Sequence, residues 1–368
     1  MDVPQLTRRT ALAAIGGMAL SSGAAAQAEK YPRNLTKDDL DRFMAGLSNW
    51  GRWGKDDQAG TINLITPAKR KAAVALVREG FSVSLELDAV LPKEGPTGGP
   101  LSSMLPGGRR GGLPPAAPGG GAPPTPPAAA ATWSLTARPP GPEPHDTMSF
   151  ETDTIAVSYH GSATTHLDAL SHVYYKGQLF NGFPQSSYTD RGTTKNDVTA
   201  FRNGVFTRGV LFDIPKLKGV PYLGDEEPIY AEDLEAWEKK VGFRVEPGDA
   251  VLYRTGRWAR VREKGPLNVG QTSPGLYVSC AKWFKERDVA LLGDDVDQDV
   301  MPSRVEGVRQ PVHLIMLWCL GTPVIDNADL EALSQACTQR NRWTFLLSIN
   351  PLRIPGATGG PVNPIAIF

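Results

Sequence analysis

The stretch His160-Gly161-Ser162-Ala163-Thr164-Thr165-His166-Leu167-Asp168-Ala169-Leu170-Ser171-His172 gathers three of the chain's five histidines, with an aspartate, into thirteen residues. Imidazole offers a ring nitrogen that is neutral and metal-binding near physiological pH, and a carboxylate offers a hard anionic oxygen. Together they can hold a divalent cation and keep a proton carrier beside it. His166 and Asp168 are two apart and project to one side of an extended chain, while Asp168 and His172 are four apart and stack if a helix begins near Asp168. The alternating run Thr154-Ile155-Ala156-Val157-Ser158-Tyr159 reads as a strand that delivers the chain to this point. A strand-to-helix transition here is expected to point all three side chains inward. The plain alternative, one core histidine and two at the surface, is the minority reading of three histidines and an aspartate at these spacings.

Outward from the cluster, the sequence reads as a mixed α/β or α+β domain. Before it, Thr66-Pro67 starts a helix with a hydroxyl cap and a proline at the first position, and Ala72, Ala73, Ala75, Leu76 and Val77 give it an apolar face before Gly80. Residues 82–87 alternate as a strand. Residues 91–144 then turn to proline, glycine and alanine, a composition that cannot bury enough apolar surface to offset its ordering entropy, and they read as a partly disordered insertion or lid. After the cluster, Val210-Leu211-Phe212-Asp213-Ile214, Ala250-Val251-Leu252-Tyr253-Arg254 and Val289-Ala290-Leu291-Leu292 read as buried strands, with a helix opening at Ala231. A second informative stretch begins at Pro311. His313 lies near the start of an apolar segment closed by Gly321, and Pro323-Val324-Ile325 leads back to Asp326-Asn327, so His313 and Asp326 could approach each other. Aromatics near the ends of elements, Trp50, Trp53, Tyr174, Tyr175 and Phe180, could line an apolar pocket or simply pack in the core.

The whole-chain properties narrow the partners. With 368 residues there is room for a sizeable core in one domain, taken here as 29–368. Lys plus Arg equal Asp plus Glu at 39 each, so no net field favours nucleic acid or an anionic membrane, and a small-molecule substrate fits better. Thr7-Arg8-Arg9 precedes a moderately apolar run over 11–20, and Ala26-Gln27-Ala28 offers small residues for cleavage, so residues 1–28 read as a twin-arginine-type export signal. The mature protein is then expected to be periplasmic or secreted, with no membrane segment, because no later apolar run approaches the roughly 18 residues that crossing requires. An ordinary secretory signal or an uncleaved anchor is the competing reading. Cys280, Cys319 and Cys337 are odd in number and widely spaced, and they read as buried apolar side chains rather than metal or redox groups.

At these residues the chain resembles the cyclase family of metal-dependent hydrolases, which includes bacterial kynurenine formamidase and isatin hydrolase. The family motif His-x-Gly-Thr-His-x-Asp-x-Pro-x-His falls on positions 162–172 and matches His166, Asp168 and His172 in register. Supporting stretches include Asp56-Asp57-Gln58-Ala59-Gly60-Thr61-Ile62-Asn63, Pro247-Gly248-Asp249-Ala250-Val251-Leu252 and Ile325-Asp326-Asn327-Ala328-Asp329-Leu330. The resemblance implies a swivelling, barrel-like mixed sheet in an α/β domain, often assembled into homodimers or tetramers. It implies that His166 and Asp168 ligate a divalent metal, zinc or manganese, and that His172 acts as general acid or base in opening an amide or lactone. The chain departs from the motif at Ser162, Thr164 and Leu170, and His160 is the obvious substitute for the ligand missing at Ser162. His313 and Asp326 correspond to the family's late histidine and glutamate, as further metal ligands or with Asp326 orienting His313 from behind. A non-catalytic metal- or ligand-binding protein on the same scaffold is the alternative, favoured by Ser162 and opposed by His172.

Overall fold

The structure, a computed structural model, describes residues 30–87, 131–135, 153–161 and 164–368. The export segment, most of the Pro/Gly/Ala-rich stretch and Ser162 lie outside the described residues.

Four strands, Val205–Asp213, Ala250–Arg254, Leu291–Asp294 and Val324–Asp326, run parallel side by side in that order. The last three are buried at every position, as parallel strands covered on both faces must be. Parallel neighbours cannot be joined by a tight turn, so helices fill the crossovers. Ile214–Lys218 and Ala231–Val241 follow the first strand, Arg257–Lys264 and Cys280–Glu286 the second, and Pro311–Leu314 the third. Trp237, fully buried, seats its helix by donating its indole N–H to the Leu211 carbonyl at 2.8 Å.

The flanks of the sheet are antiparallel. On one side Thr344–Ile349, Ile365–Ile367 and Ser82–Ser84 follow Val205–Asp213, and on the other His166–Asp168 pairs with Val324–Asp326 and then with Gly359–Pro361. The nine strands curl into a half-barrel, the barrel-like mixed α/β fold that the sequence implied. The strand bearing His166 and Asp168 is thus held from both sides, and the register sets Asp326 opposite His166 and Val324 opposite Asp168.

Local structure departs from expectation in three places. No helix begins at Asp168. A turn closed by His172 N–H to the Ala169 carbonyl at 2.8 Å stands in place of the bond to Asp168 that would open a helix, while Ala169 N–H is held by the Thr358 carbonyl at 2.9 Å and Ser171 N–H by the Asn196 carbonyl at 3.0 Å. The helix capped by Thr66 ends at Val74, with Ala73 as its buried residue. Ala131–Leu135, inside the stretch read as an insertion, is a strand paired antiparallel with Asp153–Val157, and its alternation of apolar with hydroxyl residues suits that role. The apolar segment after His313 is also unusual. It continues as a π-helix over Ile315–Leu320, buried at five of its six residues, and stops at Gly321 with φ 65°, where a Cβ would meet the Phe180 ring at 2.4 Å. Cys280, Cys319 and Cys337 are buried and free, as expected.

Candidate active site

His166 and Asp168 leave one face of their strand, and each is 1% exposed. The Thr164 carbonyl lies 2.8 Å from His166 Nδ1. A carbonyl only accepts, so Nδ1 carries the proton and Nε2 presents its lone pair. That Nε2 stands 3.6 Å from Asp168 Oδ1 and 3.6 Å from Asp326 Oδ2.

Three more histidines converge on Asp168. His160 brings Nδ1 to 2.9 Å from Asp168 Oδ1, while its Nε2 lies 2.9 Å from the Thr358 hydroxyl. Gly359 makes room for it, since a Cβ there would lie 3.2 Å from His160 Cε1 and 2.3 Å from the Leu167 carbonyl oxygen. His172, carried by the turn, sets Nε2 3.5 Å from Asp168 Oδ2 and stacks its ring on His160 with centroids 3.9 Å apart. His313 sets Nε2 3.1 Å from the same Oδ2. Its helix start is fixed by Asp299, whose carboxylate accepts from the Val312 and His313 N–H groups at 2.8 and 3.0 Å. Asp168 therefore turns Oδ1 to His160 and His166 and Oδ2 to His172 and His313.

This donor set fits a divalent cation. His160, His166 and Asp168 form one group whose ligand atoms lie within 4.8 Å of one another, and Asp168, His172 and His313 form another. Asp326 belongs to neither group but adjoins His166. His160 Nδ1 and Asp168 Oδ1 are 2.9 Å apart without the alignment of a good hydrogen bond, and among the described residues His313 Nδ1 is also buried without a partner. Leaving buried polar atoms unpaired costs about 1–3 kcal/mol each, a cost that coordination removes. Mixed nitrogen and oxygen ligands suit zinc and manganese alike.

Burial alone would raise the Asp168 pKa, but the surrounding histidines, His172 foremost, hold it well below the ordinary carboxylate range. Burial lowers His166, and it pushes His172 down to about 3 against the pull of Asp168. His313 goes the other way. Burial alone would lower it, but the hydrogen bond to Asp168 together with the charges of Asp326, Asp168 and Asp299 outweighs burial and raises it to about 10. Without metal the cluster holds neutral His166 and His172, anionic Asp168 and cationic His313, a charge that a divalent ion would replace.

The histidines and Asp326 border a cavity of about 490 Å³, completed by Gly161, Val173, Asp297, Arg309, Gln310 and Leu314. The aromatics named from sequence are elsewhere. Trp50 and Tyr175 pack edge-on against Trp318, Tyr174 meets Tyr188, and Phe180 is buried beneath Gly321. Trp53 lies under the Arg52 guanidinium. Sequence reasoning missed Thr358, Gly359 and the loop after Leu291–Asp294. In that loop Gln298 donates through Nε2 to Asp294 Oδ2 at 2.8 Å and to Asp326 Oδ1, fixing the carboxylate beside His166. The acid-rich run Gly293-Asp294-Asp295-Val296-Asp297-Gln298-Asp299 was the available signal.

Residues 112–298 match the family of cyclases described as "Putative cyclase", a span that includes the histidine cluster but ends before His313 and Asp326. Among solved structures, the crystal structure of a novel cyclase is 30% identical, with a TM-score of 0.70 over 88% of this chain and 100% of that one. Isatin hydrolase A from Ralstonia solanacearum shares the fold at 17% identity, with a TM-score of 0.50 over 82% of this chain and 97% of that one. No curated protein matches the sequence.

Proposed function

The chain belongs to the cyclase family, and from that membership we propose that it is a metal-dependent hydrolase that opens an amide or lactone bond, cyclic substrates included. The observation that carries this reading is the Asp168 carboxylate divided between two pairs of imidazoles beside a cavity sized for a small molecule. His160, His166 and Asp168 would hold a zinc or manganese ion, with Asp326 next to His166 and His313 opposite. Such an ion supplies Lewis acidity toward a carbonyl and draws the pKa of water toward about 7. His172 is the proton carrier. Burial keeps it as the neutral imidazole, the form that accepts a proton, and Asp168 Oδ2 at 3.5 Å stabilises the charge it then bears. The same imidazole returns that proton to the leaving nitrogen or oxygen.

Metal analysis and a broad panel of amides and lactones test the reading, with His172→Ala beside the wild type. The variant is expected to keep its metal and lose about 100-fold or more in kcat. A metal-loaded wild type that hydrolyses nothing in the panel would sink the enzyme reading, and a wild-type rate in His172→Ala would remove the role given to that residue. Export to the periplasm or beyond and assembly into homodimers or tetramers belong to the same proposal, supported by the Arg8-Arg9 segment and the family resemblance. No helix among the described residues is long and apolar enough to cross a membrane.

A further inference from the structure

Four aspartates fall within the six residues 294–299, and three of them are committed to structure. Asp294 accepts from Val296 N–H at 2.8 Å and from Gln298 Nε2. Asp295 accepts from Thr255 N–H and Oγ1–H, both at 2.8 Å, and from the N–H groups of Gly256 and Arg257 at 2.9 and 3.2 Å, where the helix Arg257–Lys264 begins. Asp299 receives the two N–H groups at the start of the His313 helix. Asp297 is the exception. It borders the cavity, and among the described residues no donor reaches its carboxylate, whose Oδ1 is shielded from solvent and unpaired.

The loop holds Asp297 in that position at some cost. Gln298 beside it adopts φ 52°, a left-handed conformation that a side chain disfavours. Gln298 is tied down at both ends, its side chain by Asp294 and Asp326 and its carbonyl by Tyr253 O–H at 2.8 Å and Leu276 N–H at 2.7 Å. Strain of this kind persists where the surroundings over-determine it, and here it fixes an acid whose charge supports the buried Arg257 guanidinium but whose carboxylate takes no hydrogen bond among the described residues. Asp297 lies outside both metal-binding groups but lines the same cavity as His166 and Asp326. The residue as a whole is only half-buried, and a carboxylate oxygen at a substrate cavity can accept a donor from the ligand in place of water. An amide N–H provides one next to the carbonyl, whereas an ester or lactone offers only oxygen lone pairs there, which the carboxylate repels.

We propose that Asp297 is a specificity-determining residue whose carboxylate accepts the N–H of a bound secondary amide, so that the cavity takes amides and lactams in preference to esters and lactones. The proposal rests on the hydrolase reading for its consequence in turnover, but not for its consequence in binding. The holoenzyme is assayed with formanilide, N-methylformanilide and phenyl formate, which share an acyl and an aryl group and differ in the N–H. Binding of 3,4-dihydro-2-quinolinone and dihydrocoumarin, a lactam and its lactone counterpart, is measured by calorimetry. Asp297→Ala is expected to lower kcat/KM for formanilide by about 10- to 100-fold, the worth of one hydrogen bond to a charged acceptor. It should leave the other two substrates within about threefold, as befits a contact they cannot make. Asp297→Asn keeps a carbonyl acceptor and should restore part of the loss, with metal content unchanged in both variants. Equal losses on all three substrates, or loss of metal from Asp297→Ala, overturn the proposal while leaving the hydrolase reading intact. If the wild type hydrolyses nothing, that reading fails, and calorimetry still decides. A lactam preference that disappears in Asp297→Ala supports the assignment, and no preference in the wild type refutes it.

Discussion

The two oxygens of Asp168 face different kinds of structure. Oδ1 looks toward His166, whose strand is hydrogen-bonded on both sides and whose ring is pinned by the Thr164 carbonyl, and toward His160, braced by Thr358. Oδ2 looks toward His172 on a turn and His313 at a helix start, each placed by backbone contacts with distant segments, Asn196 in one case and Asp299 in the other. One side is built by the sheet and suits holding an ion. The other rests on a turn and a helix start and suits moving protons. A single carboxylate joins them, so holding charge and passing it on are coupled at one residue.

That division can be broken outright at its shared member. Asp168→Asn keeps the shape but removes the charge common to both sides, and it should leave the purified protein with little bound metal. Its kcat/KM should fall about 1000-fold, since the Lewis-acid contribution is worth several kcal/mol. Metal analysis and panel kinetics check this, and a fully loaded Asp168→Asn protein would show that the two sides do not depend on a common carboxylate.

A smaller effect tests the Oδ1 side alone. His160→Ala should weaken zinc binding by about 100-fold or more in calorimetric titration, since losing a ligand costs at least as much as losing one of the outer groups that orient ligands. Gly359→Ala should reproduce much of it, because the new methyl meets a backbone oxygen that cannot swing away and presses on the His160 ring. Unchanged affinity in His160→Ala would remove that residue from the ion.

The smallest effect is in pH and belongs to the Oδ2 side. His313 is raised from 6.5 to about 10 in the folded, metal-free chain. The folded state therefore binds more protons than the unfolded state across that window, and the stability this contributes is complete below about pH 6.5 and lost as pH rises toward 10. Scanning calorimetry of metal-free protein should show Tm falling on the order of 5 °C between those limits. Protein loaded with zinc should show a flatter profile, since the ion takes the place of the proton. An equal slope in both forms would separate His313 from the ion.

Much of this arrangement was legible in the chain. His166, Asp168 and His172 share a local spacing, and periodicity alone marked the strands on which the centre of the sheet is built. That His313 and Asp326 belong with the cluster came from the family resemblance rather than from local spacing, and in the structure His313 meets Asp168 while Asp326 adjoins His166. What escaped depends on contacts between segments far apart in sequence. Gly359 matters because His160 lies against it, and Gln298 because Asp326 does, across 199 and 28 residues of numbering respectively. In place of the helix expected at Asp168 there is a turn, which Thr358 and Asn196 hold through the Ala169 and Ser171 N–H groups. The strand Ala131–Leu135 was hidden by its neighbours, whose proline and glycine dominated the composition.

The π-helix after His313 is where the chain can absorb a change in length. Gly321 is anchored against Phe180 at one end of Ile315–Leu320, and His313 meets Asp168 just before the other. The wide turn accommodates one residue more than an α-helix would between those two fixed points. Deleting one residue would let the segment tighten into an ordinary α-helix between the same two points, so the His313–Asp168 contact would survive while the side chains inside Ile315–Leu320 changed register. This short segment is therefore a place where a length change would be absorbed locally rather than passed on to the imidazole.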